Sequence, residues 1–300
     1  TGINPIAKGM AYGMQGMVAY DFDNDFSEMF SEASNLILSN HSYGIIAGWN
    51  YNSSFSRWEF WGRAGENEDY KFGYYSEDAQ LLDSIAFNAP NYLIVKAAGN
   101  NRAYTGPDEG TKYYRYNATN QMVDAGNRPA GISSNDAYGS IAWDANAKNI
   151  LTVGAVEGIP GGYNRKEDVI MSSFSSWGPT DDGRIKPDLV ADGVGVYSTN
   201  ASTNTGYDSR NGTSHSSPNA TGSLLLLQEY WSKLKSGAFM RSATLKGLGV
   251  HSADEAGSFP GPDYKYGWGL LNVEKAAAMI TAAVSSNNAS TSEHLIYENN

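Results

Sequence analysis

There is no cysteine among the 300 residues, so no disulfide holds the fold and no thiol can act as nucleophile or soft metal ligand. Positive charge is scarce: 21 Lys and Arg face 32 Asp and Glu, for a net charge of −11 and an isoelectric point near 4.8. A surface of that sign repels phosphate backbones and anionic lipid, which argues against nucleic acid and membrane surfaces as partners. No apolar run approaches the roughly 20 residues of a membrane span, and no signal peptide is present in this numbering. Histidine is rare, with only four residues (His41, His215, His251 and His294) to draw on for acid–base chemistry. What is abundant is glycine (33) and tyrosine (20), with seven tryptophans. That aromatic, glycine-rich make-up suits a protein with long loops that is secreted or held at a cell surface, and bacterial export is the expected origin.

Periodicity alternates between strand and helix. Met17 to Tyr20 reads as a strand, and 25–35 as a helix with Asp25 as N-cap and Glu28 completing a capping box. Ile37 to Tyr43 is a strand, 76–88 a helix, Tyr92 to Ala97 a strand and Ile150 to Val156 another. β-α-β alternation predicts an α/β fold of three layers, a mostly parallel sheet with helices on both faces. Two aromatic-rich insertions, 47–75 and 102–147, interrupt the pattern and are expected to project around a cleft.

The most informative stretch is Asn211-Gly212-Thr213-Ser214-His215-Ser216-Ser217-Pro218. Gly212 permits a tight turn, Thr213 and Ser214 are N-cap residue types, and Pro218 falls in the first turns of the helix that follows. A hydroxyl held there lies among unpaired N–H donors at the positive end of a helix, an environment suited to the oxyanion of acyl transfer. Upstream, the apolar run Leu93-Ile94-Val95 continues through Lys96-Ala97-Ala98 to the polar turn Gly99-Asn100. Two further boxes are Leu36 to Gly44, ending Ser42-Tyr43-Gly44, and Phe174 to Gly193. Near the end stands Tyr266-Gly267-Trp268-Gly269-Leu270-Leu271-Asn272.

In this order the boxes resemble the subtilisin-like serine peptidases over most of the chain. The resemblance implies the subtilisin-like α/β fold, with Ser214 as nucleophile and Asn100 as side-chain donor to the oxyanion. It makes Ser42, Tyr43, Gly44, Ala98 and Gly99 the walls of the substrate groove, and a polypeptide the substrate. It also implies an aspartate strand and a His-Gly-Thr-His-type helix, of which this chain has no trace. Thr1 to Ala11 looks like the segment just after that helix. The expectation is therefore an N-terminally incomplete fold, lacking its first strands, whose Asp and His come from a segment before residue 1 or from a companion chain. None of the four histidines is expected to replace the missing base; in particular His215, next to the nucleophile on a helix start, should point away from it.

The reading is of a secreted serine endopeptidase working through an acyl-enzyme on Ser214, with this chain alone inactive. The alternative is a subtilisin-like binding module without catalysis; the blander possibility, Ser214 as a plain helix cap, fits poorly with the matching Asn100 box. The chemistry requires no cofactor. Asp21, Asp23, Asp25 and Glu32 fall in an EF-hand-like register, but Phe26 occupies the glycine position. A structural calcium ion is compatible with the resemblance, with Asp108, Glu109, Asp181 and Asp182 as loop carboxylates. One peptidase domain over 1–283 is expected, followed by a linker or the start of a further domain over 284–300.

Overall fold

The computed structural model describes residues 4–286 and Ile296. In chain order it contains α1 (Asp25–Glu32), β1 (Leu38–His41), β2 (Trp49–Asn52), β3 (Arg57–Phe60), α2 (Glu77–Asn88), β4 (Leu93–Ala97), β5 (Lys112–Tyr116) and β6 (Met122–Asn127). Then follow β7 (Leu151–Glu157), β8 (Leu189–Val194), β9 (Val196–Thr199), β10 (Tyr207–Arg210), α3 (Thr213–Leu234), α4 (Ser242–His251) and α5 (Val273–Ser285). The main sheet is parallel, in the order β1-β4-β7-β8. Alternate residues of its strands feed two cores, as the two-residue side-chain period requires. Leu93, Val95, Leu151 and Val153 pack with α3, α4 and α5 on one face, whereas Ile94 and Ile150 pack with α1 and α2 on the other. This is the expected three-layer α/β arrangement. Helix α3 is the spine, its Ala220, Leu224, Leu227 and Trp231 all buried against the sheet.

Several local expectations are corrected. Met17 to Tyr20 is not a strand; Met17 is 79 % and Val18 70 % exposed, and no strand among the described residues pairs with them. The α1 N-cap is Asn24, not Asp25, and no side chain caps it; Asp25 Oδ1 instead accepts from the next N–H, that of Phe26. The two insertions, far apart in sequence, form one sheet of order β2-β3-β5-β6 over a small core of Trp49, Phe60, Tyr113 and Ile132. The proposed linker falls almost wholly outside the described residues; within it α5 runs on to Ser285 and Ile296 packs against the main core.

A buried charge cluster fastens β8 to its neighbours. Asp188 Oδ2 accepts from Lys186 Nζ and from the Thr152 N–H, both at 2.7 Å, and its Oδ1 lies 2.9 Å from Lys246 Nζ. Burial acts to raise the Asp188 carboxyl, but Lys186 and Lys246 outweigh it and hold it below its ordinary value. Burial pushes the Lys186 ammonium down to about 8, against the pull of Asp188. Removing the carboxylate would leave that ammonium buried and unpaired. Asp188→Ala is therefore expected to destabilise the fold by about 3–5 kcal/mol, read from the shift of the denaturant midpoint.

Candidate functional site

The site is built where β1, β4 and the start of α3 end together, at the carboxyl edge of the parallel strands where ligands of such sheets bind. Helix α3 begins at Thr213, so Thr213 and Ser214 occupy its first turn and do not cap it. The N-cap is Gly212, with φ 155° and ψ 154°, a conformation essentially restricted to glycine. A Cβ on Gly212 would also lie 2.8 Å from Ser214 Oγ and 3.4 Å from Asn100 Nδ2. Both the backbone and the space beside the hydroxyl therefore require glycine.

Asn100 is held by its oxygen. Its Oδ1 accepts from the Thr213 N–H at 2.9 Å and from Thr213 Oγ1 at 3.0 Å, while Thr213 Oγ1 accepts from the Gly99 N–H at 3.1 Å. With the oxygen fixed in this way, the amide nitrogen lies beside Gly212, 3.4 Å from where a Cβ there would stand, and makes no hydrogen bond among the described residues. A preoriented N–H donor beside a serine hydroxyl is what a developing oxyanion requires.

A third link joins the groove wall to the serine helix. Pro218 has no N–H, so the Ser214 carbonyl lacks its donor four residues on. The Ser42 hydroxyl donates to that carbonyl at 2.9 Å, and the Ser217 hydroxyl donates to Asn40 Oδ1 at 2.8 Å. The result is a cavity of about 240 Å³ whose lining includes Ser42, Tyr43, Gly44, Ala98, Gly99, Asn100 and Ser214. All seven residues singled out in the sequence thus meet in one depression. A Cβ on Gly44 would touch nothing within 4 Å, so this wall faces open space. Lys96, Asp144 and Ala142 also line the cavity, and sequence reasoning missed them: Lys96 was hidden inside an apolar strand and Asp144 in the second insertion. No residue of the first insertion lines it.

The histidines divide. His41 is buried in a one-way chain of hydrogen bonds. Tyr92 donates to Ser39 (2.6 Å) and Tyr43 to Asp25 Oδ2 (2.8 Å), which leaves Ser39 to donate to His41 Nε2 (2.6 Å) and His41 Nδ1 to donate to Tyr43 (2.6 Å). The ring is neutral, and burial pushes it down to about 3, with Lys96 lowering it further and Asp25 opposing. Its folded value lies below the unfolded 6.5, so the unfolded chain binds the extra proton. The stability at neutral pH should accordingly fall as pH drops from 6.5 toward 3, by about 2–3 kcal/mol at pH 4.5. Unfolding midpoints at pH 7 and pH 4.5 should differ less in His41→Gln than in the parent. His215 corrects the expectation that it points away: its Nδ1 lies 3.3 Å from Ser214 Oγ. In the first turn no preceding helix blocks a ring leaning toward the N-terminus, so adjacent side chains can meet. Burial, then Arg210, lowers the His215 ring, which favours its neutral form.

Among the described residues no group of three or more His, Asp or Glu side chains is placed to hold a metal ion. Asp25 is engaged by Tyr43 and the Phe26 N–H, and Asp182 by Thr180 and Arg184. No helix among the described residues is long and apolar enough to cross a membrane.

The chain is 28% identical over 213 residues, 53% of its length, to the "Serine protease/ABC transporter B family protein tagB" of Dictyostelium discoideum. It is 33% identical over 137 residues, 42% of its length, to the C5a peptidase of Streptococcus pyogenes. It spans 11% of the length of each of these curated relatives. The solved structure of the Clostridium perfringens CspB protease matches 67% of this chain, and 62% of its own, at 15% identity with a TM-score of 0.47. A model of the subtilase family matches residues 4–269, the stretch that holds every element of the cavity, and the chain belongs to that family of serine peptidases.

Proposed function

We propose that this chain carries the nucleophile and oxyanion side of a secreted or cell-surface serine endopeptidase. Ser214 attacks the peptide carbonyl, and Asn100 Nδ2 with the Ser214 N–H holds the tetrahedral oxyanion. Substrate lies as an added strand along Ser42-Tyr43-Gly44. The observation that carries the reading is the Thr213–Asn100 pair of hydrogen bonds, which fixes Asn100 Oδ1 and leaves its Nδ2 beside Gly212, next to the serine. Acyl transfer through serine needs no cofactor. The base and its orienting carboxylate come from a further segment of the protein or from a companion chain. Among the described residues β1 is an edge of the main sheet, free to pair with another strand. Phe22, whose ring lies 5.1 Å from that of Tyr43 just past β1, is 75 % exposed, an apolar side chain of the kind a further segment would cover.

A second reading rests on His215, whose ring reaches the Ser214 hydroxyl. At 3.3 Å the contact is long, and no carboxylate among the described residues bonds the ring, so a triad is not complete there. Labelling of Ser214 by a fluorophosphonate in the full protein separates the readings. Labelling lost in Ser214→Ala and kept in His215→Gln supports an external base, and loss in both makes His215 the base. No labelling of the parent protein favours the non-catalytic binding module. The 300-residue chain by itself is expected to hydrolyse no peptide; hydrolysis by it, abolished in Ser214→Ala, would place the base within these residues.

A further inference from the structure

The cavity beside Ser214 contains two charged side chains that nucleophile and oxyanion chemistry do not use. Lys96 stands in β4 among Leu93, Ile94 and Val95, all fully buried apolar residues. Its side chain is 2 % exposed and its ammonium donates to Asp144 Oδ2 at 2.8 Å and to the Tyr43 carbonyl at 3.0 Å, lying 4.4 Å from the centre of the Tyr43 ring. Asp144, 11 % exposed, follows Trp143, whose φ of 59° is uncommon for so bulky a residue. The Trp143 indole N–H is anchored on Asp78, which fixes this strained turn so that the next residue meets the cavity. Burial raises the Asp144 carboxyl, with Lys96 opposing. A buried ion pair is weak evidence for stability, since apolar residues of equal volume commonly do as well.

Consider what such a wall does to an incoming side chain. An aliphatic end would cover the pair and return no hydrogen bond. An arginine or lysine end would meet the Lys96 ammonium, and an acidic end the Asp144 carboxylate, so either sign finds a like charge at close range. A primary amide has both complements and no net charge. Its oxygen accepts from an ammonium that has used two of its three N–H groups on Asp144 and Tyr43, and its NH₂ donates to a carboxylate that can accept more than one bond. We infer that the Lys96–Asp144 pair makes this cavity select glutamine or asparagine as the substrate residue on the N-terminal side of the scissile bond. This rests on the serine peptidase reading of the same site.

The test is a ranking of affinities, which needs no turnover. N-acetyl tetrapeptides differing only in the last residue, Gln, Leu, Glu or Arg, are titrated into the full protein carrying Ser214→Ala and followed by calorimetry. Gln should bind roughly tenfold or more tighter than each of the others, because two hydrogen bonds to charged groups are at stake. Lys96→Met should move the preference to Arg, and Asp144→Asn should move it to Glu; a merely structural pair, once broken, would weaken all four alike. If either variant fails to fold, the ranking in the protein with both charges still decides. Leu in first place, four equal affinities, or no binding overturns the inference. Fluorophosphonate labelling of the Ser214-containing protein keeps the two claims apart. Labelling with a flat ranking removes the specificity inference alone, whereas a Gln-led ranking without labelling removes catalysis and leaves the pocket.

Discussion

In the catalytically complete protein, Ser214→Ala is expected to lower kcat by about 10⁶-fold while leaving KM little changed, a magnitude taken from subtilisin, another member of the family. Its basis in this chain is local. Among the described residues the Ser214 side chain makes one hydrogen bond, to His215, so alanine removes the nucleophile and spares the helix. Alanine is also a better helix former than serine, and the change in stability should stay within about 0.5 kcal/mol. Turnover of a peptide substrate and the unfolding midpoint together check the expectation. A variant that keeps more than a small fraction of the parent's kcat would show that hydrolysis runs through another group.

The second large effect is expected at Asn100. Asn100→Ala should lower kcat by about 10²–10³-fold with little change in KM, since the amide acts on charge that appears only in the transition state; this range too comes from subtilisin. Alanine, however, removes two things at once, the Nδ2 donor and the Oδ1 acceptor that ties down Thr213. Asn100→Asp separates them. Aspartate keeps an oxygen for Thr213 but offers no N–H to the oxyanion, and its charge repels the developing one. It should be at least as damaging as alanine. If Asn100→Asp retained near-normal kcat, the donor role would be wrong and the residue would be a positioning group for the start of α3.

Much of this site was legible because its signals are local. The apolar run 93–97 ends at a polar turn, and the helix expected over 76–88 is α2, Glu77–Asn88. The serine box carries its glycine and proline at fixed offsets. What was not legible depends on contacts between distant segments or on a single rotamer. Met17 to Tyr20 has the composition of a strand but pairs with none among the described residues, and apolar content alone does not make one. The direction of the His215 ring is a side-chain choice in a first helical turn, beyond any rule of residue spacing. Lys96 passed as one residue of an apolar run; only the fold brings Asp144, 48 positions later (144 − 96), within 2.8 Å of it. The role of Ser42 was hidden for the same reason, because the donor that replaces the missing Pro218 N–H comes from the segment just past β1.

The shared sheet of the two insertions has a consequence for how such a protein can be changed. Strands β3 and β5 are joined by two residue pairs, Glu59 with Tyr114 and Phe60 with Arg115. Around that seam Trp49 and Phe60 from one insertion close on Tyr113 and Ile132 from the other. Neither loop has a core of its own. A chimera that transplants only one of them into a related scaffold would carry half a hydrophobic seam into solvent, and trimming one would strand the other. The pair behaves as a single heritable module read from two places in the sequence, to be gained, lost or grafted together. Since the second insertion also brings Asp144 to the cavity wall, exchange of that module would carry side-chain preference along with it.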